Sequence, residues 1–568
     1  MSETIFIGVA WPYANGPLHL GQIAGANLPA DIFARYQRLK GNKVLMVSGT
    51  DQHGTPVTLR AEQEGVTPQV LVSKYHSQYV QSWKQLGITF DCYTSTGTEN
   101  HKKVVHDLFL NLYQKGFIYP ATSSHPFCGS DNRFLPDRYV EGTCPHCGNK
   151  RARGDQCEAC GKPLNPQDLI EWKCRICGGE PILRDSEHFF LRLSAMEQSL
   201  LSWIQQWSGF WRPNVFNFTH SWLQEGLLDR SVTRDIEWGI SVPVDGYESK
   251  SIYVWFEAVI GYLSASKEWA VNEGDPDAWE EFWLNPECKA YYFLGKDNIA
   301  FHTIIWPAML MGYGDFNLKT HQGMYNLPFN VPANEFLSLE GKKLSTSQNW
   351  AVWLSDYLSR FDPDPLRYYL SANMPEHSDS DFSWHEFFRR NNDELVGTYG
   401  NLVHRVLSLI HQYFQGAVPA PKELDDQDKS LLSAASVTHT NITKSLDLCH
   451  FREAIVHAMA LAGETNRYID FKAPWKTAKD DPERCATTLW VALNLISTLK
   501  TVLTPFLPFS SANLHSMLGF PGEVDDQGWT LQQPIPGTKL GDPKPLFLKL
   551  DDQIVEEETN RLKSQSRQ

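Results

Sequence analysis

Long hydrophobic runs, a basic charge balance and the common nucleotide-binding glycine patterns are all missing from this sequence. No apolar stretch approaches the length needed to cross a bilayer, and Met1 to Thr4 places no basic segment before a signal-type core. A cytoplasmic protein with no membrane partner is the expectation. The net charge of −15 argues against a broadly basic surface that binds any nucleic acid. Local phosphate contacts remain open at Lys342-Lys343, Arg389-Arg390 and Lys472 to Lys479, although each cluster by itself reads first as a solvated face. Gly16, Gly21 and Gly25 do not make G-x-G-x-x-G, and the first turn has no G-x-x-x-x-G-K-[ST]. Dinucleotide and P-loop chemistry are therefore unsupported. Internal repeats and low-complexity tracts are absent as well. What remains is ordinary globular composition, 42% hydrophobic and 21% charged, over 568 residues. That length has room for about three to five domains.

Cysteine is sparse except in one stretch, where seven of the eleven fall between Cys128 and Cys177. In a chain without an export signal such clustering indicates metal rather than disulfides. Cys144-x2-Cys147-x9-Cys157-x2-Cys160 has the spacing of a zinc knuckle pair, and four thiolates on two turns make a closed, structural site. Cys128, Cys174 and Cys177 are one ligand short of a second site, with Asp131 or His125 to complete it.

Residues 1 to 117 read as βα units. Thr4 to Ala10 and Lys43 to Gly49 are strand-like, and helical patterns cover Pro68 to Leu86 and Asn100 to Lys115. Residues 118 to 233 change to Gly, Pro, Cys and short strands, which suggests an inserted module. The βα pattern resumes over 234 to 330, with Ser251 to Phe256 and Ala290 to Leu294 as strands. The polar turns at Trp11 to Gly16, Gly49 to Gly54 and Gly295 to Asn298 all fall at strand carboxyl ends, where ligands of open α/β sheets bind. From 386 to 568 the chain is helical. Leu395, Tyr399, Leu402, Val406, Leu409 and Tyr413 mark one face, and a polar tail after Asp551 is expected to fray.

The first βα unit carries the most specific pattern. A strand, a turn and a helix opening at His19 make an anion site, because free helix N–H groups face the loop. His19 there either caps the helix or donates to a phosphate. Pro12-Tyr13-Ala14-Asn15-Gly16 followed by His19-Leu20-Gly21-Gln22 resembles the first signature of class I aminoacyl-tRNA synthetases, in the form carried by methionyl-tRNA synthetases. Leu339-Glu340-Gly341-Lys342-Lys343-Leu344-Ser345-Thr346-Ser347 resembles the second signature. There Lys343 is the first lysine and Thr346 replaces the second, in the Ser-Thr-Ser form of an archaeal-like branch. Gln22 stands where many members have a second histidine, and glutamine donates a hydrogen bond without becoming cationic.

The resemblance implies the remaining site residues. His19, Gln22, Lys343 and Thr346 would be catalytic. Pro12, Asn15, Gly21, Lys296, Asp297, Lys342, Lys343 and Thr346 would bind ATP with Mg2+. Trp11, Tyr13, Trp255, Ala258, Tyr262, Phe301 and His302 resemble the methionine side-chain pocket, with Asp51 for the ammonium and Arg234 near the carboxylate or phosphate. Asn401, Arg405 and Trp475 resemble the anticodon readers. Asn401 and Arg405 lie at i, i+4 on one helix face, and Trp475 is placed to stack on an unpaired base.

The implied fold is an α/β, Rossmann-like parallel-sheet catalytic domain. It is interrupted by a zinc-bearing connective peptide (118–233) and followed by a stem-contact region (331–385) and an α-helical anticodon-binding bundle (386–568). The implied activity is ligation of L-methionine to tRNA(Met) at the expense of ATP. The implied partners are these three, and a monomer is expected. Two rivals are a sister class I synthetase and a synthetase-like tRNA binder without charging activity.

Overall fold

The computed structural model describes residues 2–565 apart from 155, 156, 158, 161, 163, 318, 319, 321, 322, 347 and 348. Five short segments build one sheet: β1 (Thr4–Val9), β2 (Lys43–Thr50), β3 (Cys92–Ser95), β4 (Lys289–Gly295) and β5 (Ala333–Asn334). Their order is β5-β4-β1-β2-β3, with every neighbouring pair parallel. Ile5, Ile7 and Val9 of β1 join Tyr291 and Phe293 of β4 in one core, while Phe6 joins Ala290, Tyr292 and Leu294 in the other. Both faces are covered, which explains why β1 and β4 are apolar at consecutive positions.

The chain leaves this sheet after β3 and returns at β4. In between, Ile118–Cys128 pairs antiparallel with Ile182–Leu191, and a small sheet of Ala152–Arg153, Val140–Thr143 and Ile170–Cys174 carries cysteine turns. Because β2 and β3 extend to one side of β1 and β4 to the other, the strand order reverses between β1 and β4. A crevice opens there at the carboxyl ends.

Two helices flank that crevice and share an irregularity. The helix that opens at Leu20 contains a π turn, Ile23–Asn27, with Pro29 two residues beyond it. The helix after β4 contains a π turn, Phe301–Ile305, with Pro307 at the same spacing. Proline has no N–H to give, so in this register the Ala24 carbonyl loses its helical donor. Asn334 Nδ2 donates to that carbonyl at 2.8 Å instead.

Past Ser383 the chain forms a helical bundle that includes Asn401–Phe414, Asp426–Asp447, Phe451–Lys472, Pro474–Asp480 and Pro482–Leu503. Several expectations need correction. Among the described residues one helix, Pro482–Leu503, is long and apolar enough to cross a membrane, although the sequence was read as having no such run. Its window is 94% buried inside the bundle. Ser251 to Phe256 is a strand only at Ser251–Ile252, and a helix begins at Val254 and runs to Asn272, its β-branched and aromatic residues facing a core. The face through Leu395 and Tyr399 continues at Leu402, Val406 and Ile410, while Leu409 and Tyr413 are only half-buried. A π segment, Arg390–Gly400, shifts the register ahead of it. The polar tail, expected to fray, is helical over Gln553–Gln565 with Leu562 and Glu558 buried, and residues 566–568 lie outside the described residues.

Candidate active site

A cavity of about 380 Å³ lies at the strand-order reversal. Trp11, Pro12 and Tyr13 enter it from the turn after β1, and His19, Gly21 and Gln22 from the helix start. Asp51 follows β2; Trp255, Ala258 and Tyr262 come from helix Val254–Asn272; Asp297, Phe301 and His302 follow β4. Lys343 and Leu344 close it from the second signature. The turn after β1 is held in place by Asp51, whose N–H donates to the Pro12 carbonyl while its own carbonyl accepts from Ala14, both at 2.9 Å.

His19 is both a helix cap and a wall of the cavity. Its Nδ1 accepts from the Gly21 N–H at 3.2 Å, which leaves the ring proton on Nε2. Gln22 Oε1 accepts from the His19 N–H at 2.9 Å, completing a capping box. Burial holds the His19 pKa down to about 4, so the ring is a neutral donor at pH 7. Capping and phosphate contact are thus compatible, because they use different atoms of the ring.

The aromatic wall is tightly organised. Trp255 and Phe301 meet edge to face at 4.2 Å between centroids, and Trp255 Nε1 donates to the Tyr13 hydroxyl. Tyr262 donates to His302 Nε2 at 2.7 Å, and His302 Nδ1 donates to the Asn298 carbonyl at 2.9 Å. Burial lowers the His302 pKa to about 4, which keeps Nε2 an acceptor. A Cβ on Gly261 would lie 2.7 Å from the Trp11 ring, so glycine there makes room for the indole.

Asp51 is buried and its pKa is raised well above the carboxylate range, first by burial and then by the charge of Glu257. Its Oδ1 accepts from the His53 N–H at 3.3 Å. His53 Nδ1 in turn meets Glu257 Oε1 at 2.9 Å, and His101 approaches the other oxygen at 3.9 Å. Glu257, His53 and His101 were missed in the sequence. The available signal was a lone acidic residue inside the apolar run Val254 to Leu263. Tyr79 was missed too: its hydroxyl donates to the Tyr13 carbonyl at 2.8 Å and steadies the first turn.

The second signature lies against the first. Leu337–Leu339 and Lys342–Lys343 form a hairpin whose turn residues Glu340 and Gly341 have positive φ. A Cβ on Gly21 would lie 2.9 Å from Leu344 Cδ1, and one on Gly16 would lie 3.5 Å from Thr346 Cγ2. The Leu354 N–H donates to the Leu18 carbonyl at 2.8 Å. Lys342, Lys343 and Thr346 are exposed, and Ser347 lies outside the described residues.

Residues 5–407 match the family model described as tRNA synthetases class I (M), and residues 418–567 match the anticodon binding domain of methionyl tRNA ligase. The chain belongs to the methionyl class I tRNA synthetases. A methionine–tRNA ligase of Dehalococcoides mccartyi is 56% identical over 99% of this chain and 100% of its own length. That of Thermomicrobium roseum is 49% identical over the whole of both chains. The solved structure of Mycobacterium tuberculosis methionyl-tRNA synthetase in complex with methionyl-adenylate is 25% identical. It aligns with a TM-score of 0.79 over 96% of this chain and 99% of that one.

Not every residue assigned by resemblance to this synthetase family reaches the cavity. Asn15, Lys342 and Thr346 lie outside its wall. Lys296 is not among the wall residues, but its ammonium pairs at 2.6 Å with Glu335, which is, and at 2.8 Å with Asp379. Arg234 is held by the strand pair Thr233–Arg234 and Ser251–Ile252. Its guanidinium stands 3.8 Å from the Tyr253 ring and lines a second cavity of about 330 Å³. Of the basic clusters, Arg389 and Arg390 pair with Glu386 and Glu394, and Lys472 pairs with Asp425.

The cysteines gather into two groups able to hold a metal. Cys144, Cys147, Cys157 and Cys160 form one; Cys128, Asp131, Cys174 and Cys177 form the other, with ligand atoms in each group within 4.8 Å of one another. Sulfur separations of 3.6 Å (Cys147–Cys157), 4.0 Å (Cys144–Cys160) and 3.5 Å (Cys128–Cys177) are too long for disulfides. They bracket the separation of about 3.8 Å set by a tetrahedron with 2.3 Å bonds. In the second group it is Asp131 that stands with the three cysteines. His125 lies elsewhere, with its Nε2 2.7 Å from the Ser123 hydroxyl.

At the far end, Asn401 is exposed at the start of helix Asn401–Phe414. Arg405, one turn on, pairs through NH1 with Asp470 at 2.9 Å and stands 5.7 Å from the Trp475 ring centroid. Trp475 is 38% exposed and follows Ala473, whose positive φ turns helix Phe451–Lys472 into Pro474–Asp480.

Proposed function

We propose that this chain activates L-methionine with ATP and transfers the methionyl group to the 3′ end of tRNA(Met). The observation that carries this reading is the single cavity at the strand-order reversal, into which both signatures and the aromatic set project. The thioether fits between Trp11, Tyr13, Trp255, Ala258, Tyr262, Phe301 and His302, since polarisable sulfur is well met by aromatic edges. Asp51 takes the ammonium, which needs a carboxylate when it leaves water.

Pro12, Gly21 and Asp297 face the nucleotide. The methionine carboxylate attacks the α-phosphorus, and the bond to the β-phosphate oxygen breaks. His19 Nε2–H and the Gln22 amide donate to the α-phosphate oxygens as charge builds there. Lys343, with Lys342 and Thr346 behind it, lies over the pyrophosphate as it departs; Mg2+ carried in with ATP supplies further neutralising charge. The hydroxyl of the terminal tRNA ribose then attacks the acyl carbon and AMP leaves. No protein nucleophile is needed, so catalysis is positioning and electrostatics.

Zinc suits both cysteine groups as a structural ion, because neither set leaves an open position for chemistry. We divide the chain at 1–117, 118–233, 234–330, 331–385 and 386–568, and read it as a cytoplasmic monomer. Asn401, Arg405 and Trp475 read the anticodon. Charging of tRNA transcripts with labelled methionine tests the whole reading. Transcripts of tRNA(Met) should accept methionine, and those with a replaced anticodon should lose at least tenfold in kcat/KM (~1.4 kcal/mol). Equal charging of all transcripts, or of none, would contradict it.

A further inference from the structure

The ring of Phe336 meets two ammonium groups: Lys296 Nζ stands 4.3 Å from its centroid and Lys343 Nζ 5.5 Å. One lysine comes from the turn after β4 and the other from the second signature. In the hairpin Ser338 pairs with Lys343, so Phe336, two residues earlier, is a diagonal neighbour of Lys343 on the same face. Lys342 takes the opposite face, where its Nζ stands 4.7 Å from the Trp350 ring. Phe336 is half-buried and belongs to the cavity wall. Asp379 Oδ1 fixes this arrangement, accepting from the Phe336 N–H at 2.9 Å and from Lys296 Nζ at 2.8 Å. An aromatic face attracts a cation without carrying net charge, so it orients two lysines without cancelling them. A carboxylate in its place would hold the lysines but repel an anion that approached them.

We propose that Phe336 is a positioning residue that gathers the Lys296 and Lys343 ammonium groups on one ring, as a shared cation platform for the phosphate chain of ATP and for pyrophosphate. This rests on the reading of the cavity as a methionine-activating site. Two ammonium groups on one ring repel each other. Glu335, 2.6 Å from Lys296, and Asp379 offset that repulsion in the unbound protein. An incoming phosphate chain brings the same negative charge, so Lys296 exchanges its carboxylates for phosphate while both ammonium groups keep the ring. Lys343 then meets the departing pyrophosphate from a place the ring has already set, and less side-chain freedom is lost on binding.

The test is methionine-dependent pyrophosphate exchange by the full chain carrying Phe336→Leu, which keeps the apolar bulk and removes the ring face. The KM values for ATP and for pyrophosphate should each rise at least about fivefold. The KM for methionine, the inhibition constant of adenosine and the thermal midpoint should not change. Phe336→Tyr should restore both KM values, and Phe336→Met gives the same comparison should the leucine variant not fold. Unchanged KM values for ATP and pyrophosphate in whichever variant folds overturn the proposal. So does an equal rise in the inhibition constant of adenosine, which would make the ring a contact of the base rather than a seat for the lysines. A wild type without methionine-dependent exchange would mean that the reading of the cavity itself is wrong, and the platform falls with it.

Discussion

Asp51 can hold a substrate ammonium only as a carboxylate, and its surroundings oppose that charge. Burial and the neighbouring Glu257 raise its pKa, so acidification should protonate it early. The KM for methionine in pyrophosphate exchange is therefore expected to rise as the pH falls. Glu257→Gln removes the repelling charge, lowers the Asp51 pKa and should flatten the profile; a steeper profile in that variant would refute the electrostatic link. This link was hidden in the sequence, because His53 and Glu257 meet across 204 positions. His19, Gln22 and Lys343 were legible because they belong to short local patterns. The surroundings of Arg234 and Lys296 were not legible for the complementary reason: a motif gives neighbours in the chain, whereas Glu335, Asp379 and Tyr253, which those side chains meet, lie apart from it.

Among the elements, the C-terminal helix Gln553–Gln565 was least visible. Its composition is polar, and only Leu562 and Glu558 are buried. Arg360 pairs with Glu558, Arg561 with Asp356 at 3.0 Å, and Asn349 Nδ2 donates to the Gln565 carbonyl at 3.0 Å. These contacts fasten the segment that follows the second signature. Deleting residues 553–568 should lower the thermal midpoint by a few degrees and raise the KM for ATP about threefold or more, as the exposed Leu562 site and the freed loop lose order. A deletion that changes neither would show that the helix is a passenger. Strands β1, β2 and β4 were readable because parallel strands buried on both faces are apolar throughout. The start of helix Val254–Asn272 was not, since Ser251 to Phe256 has strand-like composition and only its core contacts make it helical.

At the scale of the molecule, Arg367 joins parts that the sequence keeps far apart. It is completely buried and donates to Asp31 at 2.7 Å, to the carbonyls of Pro505 at 2.9 Å and Phe506 at 2.8 Å, and to that of Leu86 at 3.2 Å. It thereby ties the catalytic helices to the C-terminal bundle. Burial alone would raise the Asp31 pKa, yet Arg35 and Arg367 outweigh it and hold the carboxyl at about 2. That contribution is complete above pH 3.8 and is lost as the pH falls through about 2. Arg367→Met should cost about 3–5 kcal/mol in urea unfolding, because it leaves buried carbonyls and a carboxylate short of donors. A loss below about 1 kcal/mol would contradict this role.

The two signatures, distant in sequence, converge on one cavity, and the central claim is that this cavity activates methionine. The measurement that tests it most directly is amino-acid-dependent exchange of labelled pyrophosphate into ATP, run across all twenty amino acids without tRNA, with His19→Ala and Lys343→Ala alongside the wild type. Exchange with methionine alone, reduced at least tenfold in each variant (~1.4 kcal/mol), is the predicted result. Exchange with a different amino acid, with none, or at wild-type rates in both variants would contradict the account.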